Sequence, residues 1–116
     1  MQLTINNDQT ISQIQSEFSN AFPGLKIEFV KHAHGEGEGS SKSDIIKDDM
    51  TVKELSGEGE EVSLDITKDQ TVGEVETRFR DHLGLNVQVF RKAGLNWIET
   101  VNTDHWTIAQ QLDSVR

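Results

Sequence analysis

The chain has no cysteine and no tyrosine, a single proline at Pro23, and only five phenylalanines and two tryptophans among its 116 residues. Without cysteine there is no disulfide to staple a small core, and no thiolate for nucleophilic catalysis or zinc binding. No apolar run approaches the roughly 20 residues needed to span a membrane. Met1 leads straight into a strand-like segment, without the basic and then apolar stretch of a secretory signal. The absence of cysteine fits a reducing compartment, and the expectation is a cytoplasmic, soluble chain. Positive charge is scarce as well, with 11 Lys+Arg against 20 Asp+Glu and a net charge of −9. The deficit is even: residues 1–57 carry five basic and nine acidic side chains (−4), residues 58–116 six and eleven (−5). A field of that sign repels phosphate, which argues against nucleic acid and anionic membranes as partners.

What is present is a phrase that occurs twice. Leu3-Thr4-Ile5-Asn6-Asn7-Asp8-Gln9-Thr10-Ile11 returns as Leu64-Asp65-Ile66-Thr67-Lys68-Asp69-Gln70-Thr71-Val72. The match continues through Ile14/Val75, Phe18/Phe79, Gly24/Gly84, Leu25/Leu85, Ile27/Val87, Phe29/Val89 and Ala33/Ala93, and Met50-Thr51-Val52 answers Trp106-Thr107-Ile108. Apolar positions and turn signals repeat; polar residues mostly do not. Each copy is about 50–55 residues, a size at which a lone core is marginal. The copies, about 2–57 and 61–116, are therefore expected to share one core as a single domain, 1–116, around an approximate two-fold axis.

Each copy opens with an alternating strand, around Gln2–Asn6 and Glu61–Thr67. Thr10-Ile11-Ser12-Gln13 and Thr71-Val72-Gly73-Glu74 fit the capping box, in which hydroxyl and carbonyl oxygens satisfy orphan helical N–H groups. Ile11, Ile14, Phe18 and Phe22 then recur at helical spacing, as do Val72, Val75, Phe79 and Leu83. Pro23-Gly24 and Gly84 end the helices. A second strand alternates through Leu25, Ile27 and Phe29, and through Leu85, Val87 and Val89. In copy two a tight turn at Ala93-Gly94-Leu95-Asn96 leads to a strand near Trp97–Val101. Copy one has a polar, glycine-rich stretch there, read as a flexible loop at 34–43, before a weak strand around Asp44–Lys47. Thr51–Leu55 and Thr107–Leu112 read as short helices. The order predicts an α+β fold of duplicated β-α-β-β(α) units. Within each unit the helix joins parallel strands by a right-handed crossover, giving one mixed sheet with helices on one face.

Copy two resembles the ubiquitin-like β-grasp family. The resemblance rests on Val62-Ser63-Leu64-Asp65-Ile66, then Asp69-Gln70-Thr71-Val72-Gly73-Glu74-Val75 and Gly84. It continues through Val87-Gln88-Val89-Phe90-Arg91-Lys92-Ala93-Gly94 to Thr107-Ile108, about fifty residues in order and spacing. Copy one, 3–55, follows the pattern less closely because the glycine-rich stretch replaces its turn. The resemblance implies a β-grasp-like scaffold of the kind used for protein–protein recognition. It has no strand following the short helix of copy two, which suggests strands shared between halves. The closing residues Asp113-Ser114-Val115-Arg116 lack the Gly-Gly of conjugated or sulfur-carrying members, which argues against a role as a covalent tag.

No catalytic constellation assembles from the sequence, and no cofactor is implied. Gly35 and Ser41-Lys42-Ser43 miss the phosphate-loop pattern, which needs glycine directly before the lysine. Asp48-Asp49 and Glu60-Glu61 diverge as sequence neighbours and read as solvated turns. His82 near a helix end is explained by the helix dipole. Two binding features remain. Arg91, Lys92, Trp97 and Trp106 form a basic, aromatic edge around the copy-two turn, residue types enriched at recognition hot spots. The bland reading is that both indoles close the end of the core. The alternative site is His32-Ala33-His34, whose imidazoles share a strand face, with Glu36 and Glu38 as oxygen donors for zinc or a similar ion. Two exposed histidines on a loop are its bland reading. The expectation is a non-enzymatic, monomeric protein-interaction module of unknown protein partner; the alternative is a metal- or ligand-responsive binding protein.

Overall fold

The computed structural model describes residues 2–6, 8–31, 44–56, 62–100 and 103–115. The chain runs β1 (Gln2–Ile5), α1 (Ile11–Ala21), β2 (Leu25–Val30), α2 (Val52–Ser56), β3 (Val62–Asp65), α3 (Val72–Leu83), β4 (Asn86–Ala93), β5 (Asn96–Glu99) and α4 (Ile108–Asp113). The class is α+β, with two antiparallel sheets and helices packed against them.

The helices begin as their sequences dictate. Thr10 and Thr71 are extended N-caps whose hydroxyls accept from the backbone of Gln13 and Glu74, whose side chains accept from the cap N–H groups in return. Two further boxes, not singled out in the sequence, start the short helices: Thr51 with Glu54, and Thr107 with Gln110. Each short helix is tied to the start of the longer one before it. Ile11 N–H donates to Met50 O at 2.9 Å and Val52 N–H to Gln9 O at 2.9 Å. In the second half Val72 N–H donates to Trp106 O at 3.0 Å and Ile108 N–H to Gln70 O at 2.9 Å. Gly24 and Gly84 follow α1 and α3 with φ of +98° and +67°, a left-handed backbone that only glycine adopts cheaply.

The sheets depart from the expected single mixed sheet. Among the described residues β1 pairs antiparallel with β3, β2 with β4, and β4 with β5; β1 and β2, flanking α1, are not neighbours. The expected parallel crossover is therefore replaced by antiparallel pairing across the two sequence phrases. The register explains the preference. Leu3 faces Leu64 in one sheet and Glu28 faces Gln88 in the other, so each pair of equivalent strands meets at one matching position, as a local two-fold axis requires. Two strands with the same inward pattern, Leu3/Ile5 and Leu64/Ile66, satisfy each other's backbone while keeping both apolar faces on one side. The weak strand expected around 44–47 is reduced to an antiparallel bridge between Val30 and Ile45, with Ile46 N–H donating to Phe29 O at 2.8 Å. Its counterpart in the second half is β5 and the Thr100 N–H bond to Val89 O, 3.2 Å.

One apolar cluster joins Leu3, Ile5, Ile14, Phe18, Leu25, Ile27 and Phe29 from the first phrase to Leu64, Ile66, Val75, Phe79, Val89 and Ile108 from the second, all nearly inaccessible to water. Phe29 and Phe79 meet edge to face at 6.2 Å across the halves.

Candidate functional site

The β4–β5 hairpin carries the four residues expected at a recognition edge, and the pleat divides them. Register pairs Lys92 with Trp97 and Arg91 with Ile98, so successive residues lie on opposite faces of the sheet. Arg91 lies on the same face as Val87 and Val89, and its guanidinium stacks over the Trp106 ring with 5.6 Å to the centroid. It also donates to Gln111 Oε1. Gln111 is fully buried on α4, and its amide nitrogen donates to Thr103 O at 2.8 Å and Thr103 Oγ1 at 2.9 Å. Arg91 and Trp106 thus lock α4 and the 103–107 turn onto β4. Their bland, structural reading describes their contacts fully.

Lys92 and Trp97 occupy the other face, away from Leu25, Ile27 and Val89. There the ammonium of Lys26 on β2 stands 5.3 Å from the Phe90 ring centroid and 5.0 Å from that of Trp97, and pairs with Glu28 at 3.6 Å. The sequence reading missed Lys26 and Phe90. Their link to Trp97 crosses three strands and is visible only once β2 is known to pair with β4.

Among the described residues the edge itself is open. β5 is the outermost strand of the three-stranded sheet. Trp97 and Ile98 are each 39 % exposed on opposite faces, and Leu95 in the turn is 100 % exposed. Neither side of β5 is covered as a core strand would be, so neither Trp97 nor Ile98 closes the interior. Leu95 and Ile98 lie within the expected edge, with Ile98 on the face opposite Trp97 as alternation predicts, though the sequence reading names only Arg91, Lys92, Trp97 and Trp106 as its binding residues; alternation alone does not distinguish an edge strand from a covered one.

The alternative metal site, His32, His34, Glu36 and Glu38, lies outside the described residues, as does the 34–43 stretch assigned to a flexible loop. Among the described residues no group of three or more His, Cys, Asp or Glu could hold a metal ion. Asp49 is engaged structurally: its carboxylate accepts from Ser12 N–H at 3.2 Å and Ser12 Oγ at 3.0 Å, at the positive end of α1. His82 is exposed in the last turn of α3 beside Arg80, where the helix dipole favours positive charge. No helix among the described residues is long and apolar enough to cross a membrane.

Comparison with protein-family models found no match, and comparisons with curated proteins and with solved structures found none either.

Proposed function

We propose that the chain is a non-enzymatic protein-interaction module on a duplicated, ubiquitin-like β-grasp scaffold, and that it recognises an extended segment of a partner by strand addition at β5. The observation that carries this reading is the outer strand Asn96–Glu99, with Trp97 and Ile98 half-exposed on its two faces and Leu95 bare at its start. An open edge offers backbone donors and acceptors for pairing, while side chains on either face supply specificity. Trp97 is suited to an anchor because it presents a large, partly exposed ring with the Lys26 ammonium 5.0 Å from its centroid. The duplicated scaffold is supported by the matched hydrogen bonds at Ile11/Val72 and Val52/Ile108 and by the facing of Leu3 with Leu64 and Glu28 with Gln88.

The test is comparative capture from native lysate with the wild-type chain and with Trp97→Ser/Ile98→Asp, followed by hydrogen exchange on the complex. A protein retained by the wild type and lost by the variant, with slowed exchange confined to the amides of 96–99, is the expected outcome. Retention by both forms, or protection elsewhere on the surface, sinks the β5 assignment.

A further inference from the structure

Gly84 caps α3 and Gly24 lies just past the Phe22 cap of α1, both with positive φ, yet their surroundings differ. At Gly24 the chain's own Val115 closes over the backbone so tightly that a Cβ built there would lie 2.7 Å from both valine methyls. At Gly84 a Cβ would meet no atom of a described residue within 4 Å. A cleft of about 210 Å3 opens beside Gly84, walled by Val30, Ile46, Leu55 and Leu85. An engineered apolar cavity of about 150 Å3 accepts benzene, so a space of this size takes a whole aliphatic side chain.

The filled half shows what such a cleft receives. Leu55 N–H donates to Thr51 O as Gln111 N–H donates to Thr107 O, which makes Leu55 the counterpart of Gln111. Val115 stands four residues beyond Gln111, and no described residue stands at that spacing beyond Leu55. Polar filling is lost as well. Where Arg91 reaches Gln111, the counterparts are Lys31 and Leu55, and leucine accepts no hydrogen bond. Among the described residues lining the cleft, Lys31 is the only charged one.

We propose that the cleft beside Gly84 is a docking site for a branched aliphatic side chain of a partner protein, carried on a segment whose neighbouring carboxylate pairs with Lys31. The valine methyls at Gly24 set the shape of the occupant, and the Lys31 ammonium sets its charge. This surface is separate from the β5 edge.

The test is an amide-resolved NMR titration of the full chain with acetylated, amidated Asp-Ser-Val-Glu, which keeps the order of residues 113–115 and adds a carboxylate. Saturable shifts at Lys31, Leu55, Leu85 and Asn86 are expected. Binding should weaken at least about tenfold for Asp-Ser-Gly-Glu, which lacks one buried aliphatic group, and fall similarly for Lys31→Glu. Equal binding of the glycine peptide, no saturable shift, or shifts confined to Gly24 and its neighbours overturns the proposal. Concentration-dependent shifts at these residues without peptide also overturn it, because the occupant would then be a second copy of the chain. The Trp97→Ser/Ile98→Asp variant should bind the peptide normally, which separates this site from the β5 reading.

Discussion

Glu54 shows how a single side chain acquires a pH dependence from its cap. Its carboxylate accepts from Thr51 N–H at 3.0 Å and from Thr51 Oγ1 at 3.0 Å, and these bonds to the charged form hold its pKa below the ordinary value of 4.5. A depressed carboxyl contributes stability above its unfolded pKa and loses it as pH falls through the folded one. The Glu54 contribution to α2 is therefore present above the ordinary value of 4.5 and is lost as pH falls from there through the lower folded value. Glutamine performs the same reciprocal role at Gln13 and Gln110 without ionising. Glu54→Gln should consequently keep the α2 cap while removing its acid sensitivity. Side-chain NMR titration should place the Glu54 midpoint below 4.5, and Thr51→Ala should move it back up. A midpoint unchanged by Thr51→Ala would remove the cap as the cause of the shift.

Among the elements, the four capping boxes form two linked pairs rather than four independent starts. Thr71 and Thr107 bridge each other, and Thr10 and Thr51 do the same. Losing a threonine cap costs about 1 kcal/mol, within a usual span of 0.5–2. Because Val72 and Ile108 N–H groups bond across the Thr71–Thr107 bridge, Thr71→Ala and Thr107→Ala should couple, departing from additivity by at least about 0.5 kcal/mol. Thr10→Ala with Thr107→Ala share no partner and should add. Urea titration of the three single and two double variants measures both sums.

Most of these elements were legible in the sequence because their causes are local. A threonine three residues before Gln13 or Glu74, apolar residues at helical spacing, and a glycine after the last turn each act within a few residues. Strand pairing was not legible, because β1 chooses between β2 and β3 by a contact sixty residues away. The crossover rule governs strands already known to be parallel neighbours, and here the equivalent strands of the two phrases took each other instead. The site suffered from the same limit. Arg91 and Lys92 are adjacent in sequence, but pairing sends one to Gln111 and Trp106 and the other to the face of Trp97.

On the scale of the molecule, the shared core makes a claim about cooperativity. Both tryptophans, Trp97 and Trp106, belong to the second phrase, so fluorescence reports that half alone. Ile14 belongs to the first phrase, on α1, and is fully buried in the common cluster with Phe79, Val75 and Leu64. Truncating it to alanine leaves a cavity costing roughly 2–5 kcal/mol. If the halves unfold as one body, Ile14→Ala shifts the tryptophan transition in urea by that amount, coincident with the loss of far-ultraviolet circular dichroism. Two bodies joined by a linker would give a different result: the tryptophan curve would stay in place while part of the dichroism melted early. The facing pair Leu3 and Leu64, 1 % and 2 % exposed, sharpens the distinction. Leu3→Ala and Leu64→Ala should destabilise the tryptophan-reported transition by similar amounts, though only Leu64 belongs to the half that carries the reporters.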